Sequence, residues 1–301
     1  MRRCAFLGSK AMGLRILKAL VGEGGATWTV IHPDDRQDPR SRLGEFEAFA
    51  DRHGLPFLCA ASAREAHEAL AVLAPDIVFV CGWYWLFGAG TLALARDGFF
   101  GIHNSLLPAY RGGAPLVWSI MNGEQTVGST VFRMGPGMDD GDILLQVAVR
   151  NGPDRDVGDI LAEIEERLAV ELPDRWRALL AGEARLQPQD EAAASYCGQR
   201  TPEDGRIEWR EPAARVHDFV RAQAPPYPGA FTLLGDRRVT VLKSEVDARR
   251  WYGAPGQVLA REDHAVAVAC AHGTALRLLR VAVDGKEEAP RDVFRSVRDR
   301  L

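Results

Sequence analysis

The chain contains little cysteine and no long hydrophobic run. Its cysteines are Cys4, Cys59, Cys81, Cys197 and Cys270, and no two of them form the C-x-x-C pair that is typical of structural zinc or redox sites. No apolar run reaches the roughly 18 to 20 residues that span a bilayer, and the N-terminal apolar run is shorter than that of a signal peptide. We therefore expect reduced thiols, no bound metal, no membrane segment and a cytoplasmic location.

The chain also lacks a basic excess. Its formal net charge is −4, whereas proteins whose main role is to hold a polyanion usually carry a basic patch or a high isoelectric point. With 301 residues and 47% hydrophobic content, the chain is long enough to bury a large core in two domains. The composition favours a globular protein and gives no support to nucleic-acid binding.

Short apolar runs alternate with amphipathic segments over the first two-thirds of the sequence. This pattern is typical of strand–helix units that pack into a parallel sheet. The predicted strands are 2–7, 26–31, 54–58, 76–81, 98–103 and 147–149, and the predicted helices are 14–20, 43–53, 63–73, a helix beginning at 92–96, and 157–181. Pro173 should kink or split the last helix. The strand at 98–103 would place His103 at the carboxyl edge of the sheet, where open α/β folds bind ligands.

A second pattern begins after an Ala-, Gln- and Glu-rich stretch. A helix is predicted at 213–221 and strands at 230–234, 238–246, 256–260, 265–269 and 275–281. Several short strands at regular intervals indicate a small β-barrel. The sequence therefore predicts an α/β domain with an open, mostly parallel Rossmann-like sheet over residues 1–187, a linker over 188–205 and an OB-like β-barrel domain over 206–301.

Residues 102–146 set a histidine, a glycine-punctuated loop and an acidic turn in one block. His103 can transfer a proton near neutral pH. Asp139, in a Met-Asp-Asp-Gly turn, can orient that imidazole and stabilise its cationic form. This grouping is what acyl transfer requires.

The same block resembles the motif of the folate-dependent formyltransferases. The resemblance rests on His103, the Ser-Leu-Leu-Pro run from Ser105, the Arg111-Gly112 pair and the Asp-x-Gly pattern at Asp139. Residues 201–209 and 226–231 resemble the junction between the catalytic domain and the barrel in the tRNA and sugar branches of that family. The resemblance implies formyl transfer from N10-formyltetrahydrofolate to an amine, with His103 and Asp139 as the catalytic pair.

One position departs from the family pattern. Two residues before the histidine, family members usually have an asparagine that binds the developing oxyanion, and this chain has Gly101. Loss of one such donor typically slows a reaction roughly a hundred- to a thousandfold. Asn104 is the nearest candidate catalytic substitute, but alternate residues of an extended segment face opposite sides. Asn104 therefore reaches the site only if the chain has already turned.

Candidate binding residues come from four segments of the chain. The resemblance places the folate against an aromatic loop and the acidic turn, and the predicted cofactor-binding residues are Trp83, Tyr84, Trp85, Leu86, Met138 and Asp140. The predicted substrate-binding residues are Gly8, Ser9, Lys10, Met12, Gly101, Ser105 and Arg111. Residues 8–13 form either a structural turn or a substrate contact through helix N-terminal amides. Arg111 either ends its loop as a structural residue or takes part in the site. Ser129 and Thr130 are predicted to lie in a strand beneath the site.

The loop over residues 32–42 bears on the acceptor. It is short and mixed in charge, whereas the tRNA-acting members of the family carry a longer, basic insertion there, as phosphate binding requires. We expect a small-molecule amine as substrate and neither nucleic acid nor membrane as partner; a homodimer is left open. The alternatives are methionyl-tRNA formylation, hydrolysis of formyltetrahydrofolate, and a non-catalytic folate- or metabolite-binding module.

Overall fold

The computed structural model describes residues 1–301, and these residues form two units. The first unit comprises residues 1–112, 128–148 and 163–196, and the second comprises 113–127, 149–162 and 197–301. The second unit therefore includes two segments from the middle of the chain. The predicted domain bounds at residues 187 and 205 remain a prediction.

Strands and helices alternate along the first half of the chain. The elements are β1 (Arg2–Gly8), α1 (Lys10–Val21), β2 (Ala26–Pro33), α2 (Leu43–Arg52), β3 (Phe57–Ala60), α3 (Ala63–Leu73), β4 (Ile77–Cys81), α4 (Ala89–Leu92), β5 (Phe99–His103), β6 (Arg111–Gly112), α5 (Pro115–Met121), β7 (Thr126–Arg133) and β8 (Ile143–Arg150). One sheet has the order β3-β2-β1-β4-β5-β7-β8. Its first five strands are parallel and β7 is antiparallel to β5. The predicted open, mostly parallel sheet is confirmed.

The central strands of this sheet are buried along their length. Every residue of β4 is buried, as are the last five residues of β1. Continuous apolar runs are typical of parallel strands that are covered on both faces. Helix α3, which has the predicted bounds, is capped by its own sequence: Ser62 Oγ accepts from the Glu65 amide, and the Glu65 carboxylate accepts from the Ala61 amide.

The prediction of a helix that begins within residues 92–96 is wrong. Helix α4 covers Ala89–Leu92 and ends where the prediction begins. Gly98 has a φ of +101°, a conformation open to glycine, and the turns before it return the chain to β5. Too little chain separates α4 from this glycine for a second helix.

The remaining elements follow in the order α6 (Val157–Ala181), β9 (Tyr196–Cys197), α7 (Ala213–Arg221), β10 (Ala230–Leu234), β11 (Arg237–Val246), β12 (Val258–Arg261), β13 (Val266–Ala269), β14 (Ala275–Val283), β15 (Lys286–Glu288) and α8 (Pro290–Val293). The second unit contains an antiparallel sheet in the order β10-β11-β14-β13-β12, with β15 paired to β14. The predicted β-rich C-terminal domain is confirmed, and α7 has the predicted bounds.

Helix α6 is continuous through Pro173, so the predicted alternative of two separate helices is wrong. Leu172 and Trp176, on either side of the proline along the helix, are fully buried. The Trp176 ring also contacts the rings of Phe79 and Phe100. Burial of this face outweighs the hydrogen bond that proline cannot donate. No helix in the chain combines the length and the apolar character that a membrane crossing requires.

Candidate active site

His103 lies at the carboxyl end of β5, where its strand separates from the parallel part of the sheet. It pairs with Thr130 of β7, and only 8% of its surface is exposed. Its Nε2 atom lies 2.7 Å from the carbonyl oxygen of Tyr110. A carbonyl oxygen only accepts hydrogen bonds, so Nε2 carries the proton and Nδ1 is the atom presented to Asp139.

Asp139 approaches His103 from the turn between β7 and β8. Its Oδ2 atom lies 3.6 Å from His103 Nδ1 and accepts a 2.9 Å hydrogen bond from the amide of Gly112. The distance to His103 is too long for a hydrogen bond but short enough for strong attraction between opposite charges. The Asp139 carboxylate therefore faces the imidazole without bonding to it directly.

The Asp-x-Gly pattern has a steric origin. Asp139 has a left-handed φ of +51°, which aspartate tolerates better than most residues. A Cβ atom at Gly141 would overlap the carbonyl oxygen of Arg133. The turn can therefore fold back on β7 only with glycine at position 141, and this close approach carries Asp139 toward β5.

The side chains of Asn104 and Ser105 both have hydrogen-bond partners within the protein. The Ser105 amide donates to the carbonyl of His103, so the chain turns at Asn104, as a catalytic role for that residue would need. However, Asn104 Oδ1 already accepts from Ser129 Oγ at 3.0 Å, and Ser105 Oγ donates to the Ala109 carbonyl at 2.7 Å. The predicted catalytic role of Asn104 and substrate contact of Ser105 remain predictions.

The hydroxyls of β7 support the loop from below, as expected. Ser129 Oγ also lies within hydrogen-bond distance of the His103 carbonyl, at 3.1 Å. Thr130 Oγ1 donates to the Ser105 carbonyl at 2.7 Å and accepts from the Leu107 amide. Both residues are buried in the predicted strand.

Gly101 is buried in β5 beside Met134. A Cβ atom built on Gly101 would lie 3.2 Å from Met134 Sδ and 3.4 Å from its Cγ. The thioether therefore occupies the space into which a longer side chain at position 101 would extend. Met134 was not among the predicted site residues, because nothing in the local sequence connects it with Gly101.

The aromatic loop after β4 alternates between the core and solvent. Trp83, Trp85 and Phe87 pack against a buried cluster of the first unit, whereas Tyr84 and Leu86 are 47% and 98% exposed. This alternation is typical of an extended segment. Of the predicted folate-binding residues, the exposed ones are Tyr84, Leu86, Met138 and Asp140, and their contact with folate remains a prediction.

Residues 8–13 are only partly a turn, because β1 ends at Gly8 and α1 begins at Lys10. A Cβ atom at Gly8 would lie 2.5 Å from the Cys81 carbonyl oxygen, so the close packing of β1 on β4 requires glycine. Ser9 is fully buried, and its hydroxyl donates to the Gly82 carbonyl. These two residues have structural partners. Met12 lies within α1, and the predicted substrate contacts of all three remain predictions.

Lys10 joins the N-terminal loop to the aromatic loop. Its Nζ atom lies 2.9 Å from Asp35, 2.8 Å from Asp38 and in contact with the Tyr84 hydroxyl. Hydrogen bonds from Arg40 and then Lys10 hold the pKa of Asp38 well below its usual range. Burial opposes protonation of Lys10, but the hydrogen bonds that its ammonium donates to Asp38, Tyr84 and Asp35 raise its pKa above the ordinary value.

Arg111 is buried and already has partners. Only 1% of its surface is exposed, and its guanidinium binds both carboxylate oxygens of Glu191, the amide oxygen of Gln189 and the Tyr196 hydroxyl. This network raises the pKa of Arg111, chiefly through Glu191. These contacts agree with a structural role for Arg111, and its predicted contact with substrate remains a prediction.

Gln189 is the residue that the sequence did not indicate. It lies in the stretch predicted as a linker, where there is neither periodicity nor a motif. Its amide nitrogen donates to the carbonyls of Asp139 and Gly141, each at 2.7 Å. A contact between positions so distant in sequence leaves no local pattern.

Two family models match the chain. The model described as "Formyl transferase" matches residues 47–173, and the model described as "Formyl transferase, C-terminal domain" matches residues 200–298. A methionyl-tRNA formyltransferase from Anaeromyxobacter sp. (strain K) is 38% identical over 291 residues, which cover 94% of this chain and 93% of the relative.

Solved structures share the fold at low sequence identity. An N-formyltransferase from Helicobacter canadensis, in complex with folinic acid and dTDP-3-aminofucose, matches with a TM-score of 0.73 and 15% identity, over 93% of this chain and 99% of that one. HypX from Aquifex aeolicus, in complex with tetrahydrofolic acid, matches with a TM-score of 0.68 and 18% identity over 97% of this chain. The chain spans about half of HypX, 46% of its length.

Proposed function

The chain belongs to the folate-dependent formyltransferase family, and on that premise we propose that it transfers the formyl group of N10-formyltetrahydrofolate to a primary amine on a small molecule. The observation that carries the proposal is the pair of His103 and Asp139 at the carboxyl end of β5, with 3.6 Å between Nδ1 and Oδ2. Open α/β sheets bind their ligands at this edge.

The donor is proposed from two similarities. HypX is described in complex with tetrahydrofolic acid, and the Helicobacter canadensis enzyme in complex with folinic acid. In this chain the side chains of Tyr84 and Leu86 are exposed in the loop that follows β4, the strand next to β5 in the sheet. We place the pterin of the donor against this loop.

The reaction needs one proton transfer and one stabilised oxyanion. The acceptor amine attacks the formyl carbon, a new C–N bond forms, and the carbonyl oxygen becomes an oxyanion. The bond between the formyl carbon and N10 then breaks, and the proton lost by the amine passes to N10, so that tetrahydrofolate leaves.

His103 and Asp139 share this work. Because Nε2 is held by the Tyr110 carbonyl, His103 acts through Nδ1, which moves the proton and, when protonated, stabilises the oxyanion. Asp139, held by the Gly112 amide, orients the imidazole and favours its cationic form. This positive charge supplies part of the stabilisation that an asparagine at position 101 would provide.

The charges of the loop after β2 support a small acceptor. Arg36 is paired with Asp34, Arg40 with Asp38, and Arg42 with Glu45. Lys10 is paired with the same loop. Each of these cations is neutralised by a neighbouring carboxylate, so the loop offers little net positive charge to a nucleic-acid backbone.

Methionyl-tRNA is the second candidate acceptor. It is favoured by the methionyl-tRNA formyltransferase from Anaeromyxobacter sp. (strain K), which is 38% identical over nearly the whole of both chains. The two candidates differ in the size and charge of the acceptor and share the donor and the chemistry described above.

The test is release of tetrahydrofolate from N10-formyltetrahydrofolate by the purified protein, with His103→Ala as the inactive control. The acceptors are a panel of amino sugars, nucleotide-linked amino sugars, amino acids and methionyl-tRNA, with formylated product identified by mass spectrometry. Release that depends on a small amine supports the proposal. Release only with methionyl-tRNA overturns the proposed acceptor, and release without any amine identifies a hydrolase. Folate binding without release under any condition overturns the proposed activity.

A further inference from the structure

Gln189 uses all the hydrogen-bonding capacity of its side chain. Its nitrogen donates to the carbonyls of Asp139 and Gly141 at 2.7 Å each. Its oxygen accepts from Arg111 Nε at 3.2 Å and Nη2 at 2.8 Å. A carboxamide has two N–H donors and one oxygen with two lone pairs. The orientation of Gln189 is thus fixed. A flipped amide would place its N–H donors against the guanidinium of Arg111 and its oxygen against two carbonyl oxygens.

Arg111, which donates to the oxygen of Gln189, is itself firmly held. The Arg111 guanidinium is buried, and Glu191 accepts hydrogen bonds from both its terminal nitrogens, at 2.9 and 2.6 Å. The Tyr196 hydroxyl lies 3.2 Å from Nη1. A bidentate guanidinium–carboxylate pair fixes both position and plane. Arg111 is therefore a firm base from which Gln189 can hold a second segment.

The backbone around Arg111 contacts both catalytic side chains. The Tyr110 carbonyl accepts from His103 Nε2, and the Gly112 amide donates to Asp139 Oδ2. The turn that carries Asp139, by contrast, contains Gly135, Gly137 and Gly141, and Asp139 has a left-handed φ. A glycine-rich turn has many accessible conformations, and Gln189 bonds directly to the backbone carbonyl of Asp139.

We propose that Gln189 is a positioning residue, which clamps the Asp139 turn onto the Arg111 segment and thereby sets the distance between Asp139 and His103. This inference rests on the proposed roles of Asp139 and His103. Gln189 contacts neither reacting atom nor imidazole. Its effect on the reaction therefore passes through Asp139.

The primary test variant is Gln189→Glu. It keeps an oxygen for Arg111 but removes both donors and places a carboxylate oxygen against the carbonyls of Asp139 and Gly141. We expect kcat to fall about ten- to a hundredfold, since a displacement of about 1 Å in a catalytic group can cost about a hundredfold. The KM for the donor should change by less than about twofold.

The matched control is Gln187→Glu. Gln187 is exposed, and its backbone amide and carbonyl pair with Ile143, so the substitution makes the same charge change without touching the turn. Its kcat should equal that of the wild type. Gln189→Met, which keeps the side-chain volume and removes the hydrogen bonds, replaces Gln189→Glu if the latter does not fold by circular dichroism.

A double-mutant cycle with Asp139→Asn distinguishes positioning from a general structural role. If Gln189 acts through Asp139, Gln189→Glu should lower the single-turnover rate by less than about twofold in the Asp139→Asn background, because coupled residues are not additive. A full additional loss in that background overturns the inference, as does an unchanged kcat in Gln189→Glu. If Asp139→Asn itself retains the wild-type rate, the proposed mechanism fails instead.

Discussion

The carboxylate of Asp139 lies 3.6 Å from His103 Nδ1, and both side chains are held by one short stretch of backbone. Tyr110 binds the far nitrogen of the imidazole, and Gly112 binds the carboxylate. The loop between β5 and α5 thus fixes the geometry of a pair drawn from two different parts of the chain. Preorganised groups of this kind lower the barrier of a reaction without rearrangement at the moment of transfer.

Asp139→Asn should lower kcat by at least about a hundredfold, because the amide keeps the shape of the carboxylate and removes the charge that stabilises protonated His103. The measurement is tetrahydrofolate release at saturating donor and acceptor. Glu183→Gln, an equivalent change at an exposed position, serves as the control and should keep the wild-type rate. A mutant within about threefold of the wild type would remove Asp139 from the mechanism.

Gly101→Asn should impair use of the native acceptor, because the new side chain must displace Met134, whose Sδ would lie 3.2 Å from the added Cβ. Overpacking of this kind typically costs about 1 to 3 kcal/mol. We expect kcat/KM for the acceptor to fall about tenfold and to recover in part when Met134→Ala is added. A large rate increase in the single variant would instead show that the site merely lacks a donor.

Ionic strength should have little effect on the reaction with the native acceptor. Between 50 and 200 mM salt, we expect kcat/KM to change by less than about threefold for a small amine, whereas contacts to many phosphates lose about 10³-fold or more over this range. Steady-state rates at four salt concentrations provide the measurement. A steep decline would favour methionyl-tRNA as the acceptor.

Asp247 should stabilise the second unit in a pH-dependent manner. Hydrogen bonds from Arg249, with a further one from Trp251, lower the pKa of this buried carboxyl from 3.8 to about 2. A lowered folded-state pKa means that the contribution is complete above pH 3.8 and is lost as the pH falls through about 2. At pH 6 we expect Asp247→Asn to unfold with a free energy about 2 kcal/mol below that of the wild type.

The pH dependence of that difference is the critical observation. Urea unfolding of the wild type and Asp247→Asn should give free energies that differ by a constant amount down to about pH 4 and converge as the pH is lowered from there to about 2. A difference that stays constant over this range would show that hydrogen bonding alone, without charge, accounts for the effect of Asp247.

Local patterns predicted much of the fold. Helix α3 has the predicted bounds because Ser62 caps its first turn, and helix α7 has them because its apolar face is regular. The helix predicted near residue 92 failed because a short apolar run has no unambiguous period. The predicted split at Pro173 failed because buried side chains on both sides of the proline hold the helix together, and burial depends on distant parts of the chain.

The site was predictable only where a motif marked it. His103 and Asp139 were paired through a family resemblance, and the structure brings them together. The contacts of Gln189 with Asp139 and of Met134 with Gly101 depend on the way distant segments fold onto one another, for which a single sequence provides no periodicity or spacing. The paired charges around Lys10 were visible as a mixed-sign loop, but their partners were not.

The discontinuous second unit has a consequence for biosynthesis. Its segments 113–127 and 149–162 emerge from the ribosome before residues 197–301, to which they belong. Helix α5, in the first of these segments, packs against α7, and Arg215 of α7 donates a hydrogen bond to the Met121 carbonyl. A fragment that ends near residue 187 would lack this partner of α5, so a single cut in the chain does not separate the two units.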